Sequence, residues 1–240
     1  VIGTILNVSG IVIGGIAGLA KRTPLSAANQ NFLKVALGAL TAFYGLRLTW
    51  ISLEGPFPQI MKQLGIVLLA LFAGKITGRL LHLQKASNRL GRFARERTSA
   101  AKADDPGRFH EGFLVCTALF CAAPLGILGA VHDGLSRYFS PLAVKGAMDG
   151  LATMGFVSMF GWGVVLSAVP VLVFQGTLTL ICARFLEPWL QDHRLIEPVN
   201  ATGGLLIFCV ALIIFEVKRI EVTDYLPSLC LAPLLAWWLG

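Results

Sequence analysis

The chain has 240 residues, 55% of them hydrophobic and only 14% charged, with a mean hydropathy of +0.73, a balance that excludes a soluble globular domain and predicts an integral membrane protein. The formal charge of +7 would suit nucleic acid in a soluble protein. In a chain that crosses a membrane repeatedly, basic residues instead set topology and touch anionic lipid, so membrane lipid is the expected partner and nucleic acid is not.

A membrane-spanning helix needs about 20 predominantly apolar residues. Eight stretches qualify: 1–20, 33–53, 64–83, 112–131, 141–160, 164–186, 200–217 and 225–239. The expected fold is an all-α polytopic transmembrane helix bundle filling 1–240 as a single integral membrane domain, some spans broken by proline and glycine. A basic cytoplasmic amphipathic segment and linker cover about 84–110. All five cysteines fall in apolar stretches, where a thiol packs as a small hydrophobe, so no disulfide framework is expected.

The first stretch is followed by Lys21 and Arg22, which predicts a retained first helix in place of a cleaved signal. It sets Gly3, Asn7, Gly10, Gly14 and Gly18 on one face, a small-residue seam on which helix backbones can meet. Packing within the chain, a pore lining and a homodimer face all remain open for it. Arg47, near the end of the second stretch, is expected to snorkel to the surface. The third carries Ala70, Gly74 and Gly78 at the same small-residue spacing, with Lys75 and Arg79 near its polar end. Beyond it, Leu83, Ala86, Leu90 and Phe93 share one helical face and Lys85, Arg89 and Arg92 another, the pattern of a basic helix lying on lipid headgroups. A polar linker over 98–107 returns the chain to the membrane.

The fourth stretch is interrupted by Pro124, with Gly126 and Gly129 behind it. A proline inside a span frees backbone carbonyls that only neighbouring helices, water or a polar cavity can satisfy. His132 and Asp133 follow, expected as an exposed pair at the outer surface, or with Asp133 at the mouth of a midplane cavity if the stretch splits into half-helices. In the fifth stretch Ser140 and Pro141 suit an N-cap and first turn. Lys145 and Asp149 then lie one turn apart on one face, with Gly146, Gly150 and Thr153 beside them. Asp149 sits about 12 Å along that helix, too deep to reach water as a lysine does, so it must pair, take a proton or face a wet cavity. From 141 to 185 the chain is too long for one crossing, and Gly161-Trp162-Gly163 offers the turn. Gln175 is a further polar group in the sixth stretch.

On these spans, loops reached after the first helix carry eleven lysines and arginines, from Lys21 to Arg219, and the opposite loops carry three, Lys62, Arg137 and Arg194. Both termini are therefore expected outside the cytoplasm, in the periplasm of a bacterium. A faint echo, Gly3-Thr4-Ile5-Leu6 against Gly176-Thr177-Leu178-Thr179, admits an inverted repeat of the first three spans in the last three. The four histidines are scattered and form no ligand cluster with cysteine, and neither a GxSxG elbow nor a Walker loop is present. No metal, cofactor, catalytic residue or enzymatic activity is expected.

GTILNVSGIVIGG at the start, EGFLVCTALFCAAPLGILGAVHDGLS in the middle, KGAMDG, PVLVFQG, ATGGLLI and LPSLCLAPLLAW at the end resemble the bacterial inner-membrane family catalogued as domain of unknown function 554, over nearly the whole chain and in order. The resemblance implies a polytopic membrane protein with no established activity. It carries over Gly3, Thr4, Asn7, Pro124, Asp133, Gly134, Lys145, Asp149, Gly150, Gln175, Gly176, Gly203, Gly204, Pro227 and Pro233, whereas His132 stands where the family pattern has glutamine, which argues against a catalytic or metal role there.

The function expected is a small secondary transporter or channel of the inner membrane, homo-oligomeric, moving an unidentified small solute or ion past Asp149, Lys145, Asp133, Gln175, Asn7 and Pro124. Gly3, Gly10, Gly14, Gly18, Gly74, Gly78, Gly146 and Gly150 are the expected helix-packing positions. The alternatives are a membrane scaffold, in which the same polar groups only specify packing, and an intramembrane enzyme in which Asp133 and Asp149 converge on one cavity.

Overall fold

The computed structural model describes residues 1–20, 26–100 and 108–239; Lys21, Arg22 and most of the linker expected over 98–107 lie outside the described residues. In chain order the elements are α1 (Ile2–Ala20), α2 (Ala27–Ile51), α3 (Phe57–Leu80), α4 (Leu83–Ala100), α5 (Arg108–Ala122), α6 (Pro124–Ser136) and α7 (Ser140–Phe160). A 3-10 segment (Gly161–Ser167), α8 (Ala168–Ile181), a π-bulge (Cys182–Leu186), α9 (Glu187–Asp192), α10 (Ile196–Ile214), the single turn α11 (Val222–Tyr225) and α12 (Ser228–Leu239) follow.

Contacts between elements fix their directions. Gly3 faces Leu142 and Gly18 faces Met154, so α1 and α7 run the same way. Gly15 meets Val165, Asn7 meets Gln175 and Thr4 meets Thr179, so α8 runs against both. The helical run Ser140–Asp192 therefore doubles back on itself at Gly161, whose φ of +74° is a left-handed conformation that glycine adopts without a Cβ penalty. Gly112 faces Phe160, the last residue of α7, and Gly129 faces Leu142, near its start. The α5–α6 pair, bent by 57° at its break, thus follows the whole of α7 in the opposite sense. Each half is only about 20 Å long, short of the roughly 30 Å of hydrocarbon that the two cross together.

Among the described residues 6 helices are long and apolar enough to cross a membrane, or 7 with the bent pair joined; the reversal at Gly161 divides one of them and makes eight passes. Each of the first three passes is antiparallel to, and in contact with, its counterpart among the last three. The pairs are α1 with α8, α2 with α10 (Gly38 at Phe215, Gly45 at Gly204), and α3 with α11–α12 (Gly74 at Ser228, Gly78 at Asp224). An inverted repeat of the first three passes in the last three requires this pairing. Both described chain ends lie at the same end of the bundle as α9, and α4 lies across the other.

Several boundaries differ from the sequence expectation. Helix α2 starts at Ala27 rather than 33, because Ser26 Oγ accepts the Asn29 N–H at 3.3 Å and the polar Asn29, Gln30 and Asn31 carry the helix out of the apolar zone. Helix α3 starts at Phe57 rather than 64, with Pro58 in a first turn that needs no donor. Ser140 is the first helical residue of α7 and not its cap, which is Phe139. Side chains are sorted as in a membrane protein: glycine, alanine and threonine line the helix contacts, while Ile13, Phe32, Phe43, Leu68, Phe72 and Val173 point outward. Exposed Trp50, Trp189, Trp237 and Trp238 gather at the α9 end, as in an interfacial aromatic belt.

Candidate functional site

The glycine seam of α1 meets a second one on α7. A Cβ on Gly10 or Gly14 would run into the carbonyl of Gly146 or Gly150, and one on Gly150 would lie 2.6 Å from the Gly10 oxygen. Backbones this close bring the short Asn7 side chain within reach of two further helices. Lys145 is 2% exposed, and its Nζ donates to Asp149 Oδ2 one turn along α7, while the same ammonium lies 5.7 Å from the centroid of the Phe120 ring on α5. The Asn7 side chain lies beside the Asp149 carboxylate, and its Nδ2 donates to Gln175 Oε1 on α8 at 2.9 Å. In the first turn of α6, a Cβ on Gly126 would lie 2.8 Å from Lys145 Cε and 3.0 Å from Gln175 Nε2. The break in the α5–α6 pass is therefore one wall of the cluster, and glycine is there because the other side chains fill the space.

Two polar atoms in this group are unsatisfied. Asn7 Oδ1, an acceptor, and Gln175 Nε2, a donor, are buried without a hydrogen-bond partner, and each such group costs about 1–3 kcal/mol. Helix α5 ends beside them at Ala122, its final carbonyls beyond the reach of their own helix; Pro124 has no N–H to offer the Phe120 carbonyl. An ion pair, an unpaired donor, an unpaired acceptor and a broken helix thus meet about halfway along α7. Such a group can hold a small polar solute or an ion, or pass a proton on and off a carboxylate. On the α4 side it is sealed by an apolar core containing Ile11, Val115, Phe120, Val157 and Phe160.

The structure brings together Asn7, Lys145, Asp149 and Gln175 of the residues expected on a pathway, with Pro124 setting the break beside them. Asp133 lies elsewhere. Its Oδ2 accepts the Gly3 N–H at 3.0 Å, placing a carboxylate at the N-terminus of α1, where the helix dipole favours it. Asp133 and its neighbour His132 are both buried, not the exposed helix-end pair expected, because α1 covers one and α10 the other. His132 Nδ1 bonds Asn200 Oδ1 at 3.1 Å, which also accepts Ser136 Oγ at 2.7 Å, and the ring lies where any Cβ on Gly203 would be. Asp133 and Asp149 share no hydrogen-bond partner among the described residues: the first accepts from the Gly3 N–H and the second from Lys145 Nζ.

Sequence reasoning singled out neither Phe120 nor Thr179 for the cluster, nor Asn200. A signal was available for one of them: Thr4 and Asn7 on α1 face Thr179 and Gln175 on α8, polar residues spaced three and four apart on helices that run in opposite directions. Gly10, Gly14 and Gly18 are covered by α7 of the same chain, which removes that face from any homodimer or pore. Among the described residues no three His, Cys, Asp or Glu side chains are grouped to hold a metal ion.

Among the described residues, three of the cavities open toward the ends of the bundle. An apolar one of about 760 Å³ lies between α2, α7 and α10 at the α4 end, lined by Leu37, Met148, Ala152, Met154 and Met159, with Lys34 and Glu216 at its rim. A basic one of about 940 Å³ lies beneath α4, and a third of about 480 Å³ at the α9 end includes Ser52, Glu54, Gln63 and Arg194. Met148 and Ala152 bring the apolar cavity next to Asp149 in sequence, but neither Asp149 nor Lys145, Asn7 or Gln175 lines any of the three.

The family described as "Protein of unknown function (DUF554)" matches residues 2–237. The chain is similar to "Uncharacterized protein YqgA" of Escherichia coli strain K12, at 30% identity over 99% of this chain and 97% of that one. It is also similar to "Uncharacterized membrane protein YdfK" of Bacillus subtilis strain 168, at 28% identity over 96% and 93% of the two chains. No solved structure matches it.

Proposed function

The chain belongs to the family of unknown function called DUF554, and on its own geometry we propose that this multi-pass membrane protein is a small secondary transporter of the bacterial inner membrane. The observation that carries the proposal is the Lys145–Asp149 pair set beside two unpaired amide groups and the α5–α6 break. Charged groups at membrane depth mark ion or substrate pathways, and transporter sites are commonly built at broken helices between repeats of opposite direction. A carrier fits better than a channel, because the pair is buried and an apolar core closes the cluster on the α4 side. Its cargo is a small polar solute or an ion. The α4 end, where the loop cations gather, faces the cytoplasm, and both termini face the periplasm; an alkaline phosphatase fused to the C-terminus is then active, and an inactive fusion reverses the orientation. The outward faces of α2 and α3, which carry Phe43 and Phe72, are the ones proposed for a homo-oligomer, and cysteines at those two positions test them by crosslinking.

The burial of the pair, with Lys145 only 2% exposed, favours one other reading, a scaffold in which the pair only fixes helix register. Cys121, half-buried and close enough to feel both charges of the pair, can separate the two. With the other four cysteines replaced by alanine, a membrane-impermeant maleimide added to sealed vesicles of either orientation should label Cys121 slowly from both sides if the protein alternates. Labelling from neither side over hours, in protein that remains folded, supports the scaffold and sinks the transporter.

A further inference from the structure

We propose that the groove between α4, α5 and α7 is a binding site for one anionic phospholipid, its phosphate held by the cations of α4 and its acyl chains laid against Leu119 and Phe156. The groove, of about 940 Å³, has Lys85, Arg89, Arg92 and Arg95 along one wall and Leu119 and Phe156 on the other. The single carboxylate of α4, Glu96, does not line it. None of the four cations has a carboxylate partner among the described residues; the one α4 cation that does is Arg97, which turns away to Glu111 on α5 at 2.7 Å. Four positive charges without a carboxylate partner among the described residues repel one another along one wall, and an anion in the groove removes that repulsion.

The wall is held in place without the ligand. At the start of α4, Gln84 N donates to Asp224 Oδ1 at 2.8 Å and Gln84 Oε1 accepts the Thr223 N–H at 3.2 Å, tying the helix to α11. At its far end the Arg97–Glu111 pair ties it to α5, and between them Ala94 is buried in the apolar core of α1, α5 and α7. An amphipathic helix left to float on a membrane would need none of these ties. Here they fix α4 against α5 and α11, with the groove beside that contact.

The second wall decides between a lipid and a free phosphate. Leu119 and Phe156 offer nothing to a hydrated anion but suit an acyl chain. Phe156 also lines the apolar cavity of Met148, Met154 and Met159, so a chain passing its ring continues along an apolar surface. Exposed Leu81 and Leu90 at the same end place α4 at headgroup level, where apolar side chains anchor and basic ones meet phosphate. This site rests on α4 and its neighbours alone and is independent of the transport reading.

The test uses the full chain, delipidated in a neutral detergent, with thermal melting followed during titration by short-chain phosphatidylglycerol, phosphatidylcholine of the same chain length, or inorganic phosphate. Phosphatidylglycerol should raise the melting temperature to a plateau, with phosphatidylcholine and phosphate each giving little. In Arg89→Gln/Arg92→Gln the apparent affinity should fall about tenfold or more, since each cation near a lipid surface contributes about 1 kcal/mol, while Lys62→Gln at the opposite end leaves it unchanged. Equal responses to phosphatidylglycerol and phosphatidylcholine overturn the proposal, as does phosphate matching the lipid, or a double variant that responds as the wild type does. Native mass spectrometry of the unmodified protein is the second measurement and needs no variant: one phosphatidylglycerol retained in preference to phosphatidylcholine is expected, and equal retention of the two overturns the site.

Discussion

Along α1 and α7 the backbones meet at Gly10 with Gly146 and at Gly14 with Gly150; along α2 and α10 they meet at Gly45 with Gly204, with Gly38 against Phe215. In both seams a Cβ would meet backbone, at 2.0 Å for Gly14 on α1 and at 2.6 Å for Gly45 on α2, and their buried polar content differs. The α2–α10 seam buries Thr41, Thr49, Asn200 and Thr202, and no charged side chain of either helix. Thr49 Oγ1 lies 3.2 Å from both the Gly45 and the Ala201 carbonyls. The α1–α7 seam buries Lys145 and Asp149 and leaves two amide atoms unpaired. Small residues and a threonine hydrogen bond are therefore enough to close two helices in this molecule. The ion pair is not what brings α1 to α7, which is the physical reason to look for another role for it.

The largest effect should be shared by both seams. Gly14→Leu and Gly45→Leu each force an isobutyl group into backbone, beyond the roughly 1–3 kcal/mol of ordinary overpacking, and both should fail to give a monodisperse, cooperatively melting protein. Normal melting of Gly45→Leu would mean that the α2–α10 contact is not needed and that the seams are not comparable. The next effect belongs to one seam only. Asp149→Asn strands a lysine that is 2% exposed and cannot snorkel, which should lower stability by about 3–5 kcal/mol. Lys145→Met with Asp149→Leu should restore melting to within about 1 kcal/mol of wild type. In proteoliposomes that double variant should show no pH-gradient-driven solute or ion flux; wild-type flux from it would reduce the charged seam to a polar version of the uncharged one.

Smaller effects sharpen the α2–α10 side. Thr49→Val keeps the shape and removes the hydroxyl, and urea or thermal unfolding in detergent should show a loss near 0.6 kcal/mol, the average for an interhelical hydrogen bond in a membrane. At the end of the same seam Lys34 bonds the exposed Glu216. That hydrogen bond first, and the charge of Lys34 second, hold the Glu216 carboxyl below its ordinary 4.5. A depressed carboxylate stabilises above its unfolded value and loses that contribution as pH falls through its folded one. The small difference between wild type and Glu216→Gln should therefore be constant at neutral pH and vanish in acid, below 4.5; a difference that grows on acidification would have the wrong sign.

Much of the bundle was legible in the sequence, because crossing a membrane is a local property of about 20 residues. The passes, the break at Pro124, the reversal at Gly161 and the basic face of α4 all follow from composition and spacing within one segment. The Lys145–Asp149 pair was legible for the same reason, being four residues apart on one helix. What could not be read was partnership at a distance. Asp133 looks like a charge at a pathway mouth until Gly3, 130 positions away, is found donating to it. His132 and Asn200, 68 positions apart, carry no spacing that could join them. Asn7 and Gln175 were each visible as polar residues in apolar helices, but their meeting depends on how α1 lies between α7 and α8.

That parallel placement of α1 against α7 also governs how the chain is made. Helix α1 leaves the ribosome with its glycine face and Asn7 matched to a helix synthesised roughly 135 residues later. At about 5–20 residues per second the wait is roughly 7–27 s. Throughout it the narrow face of α1 rests against lipid or the insertion machinery. The bulky outward side chains of Ile5, Ile13 and Ile16 are what keep α1 in the bilayer until its mate arrives, so trimming them should lower the yield of inserted protein while leaving the melting temperature of the finished molecule almost untouched.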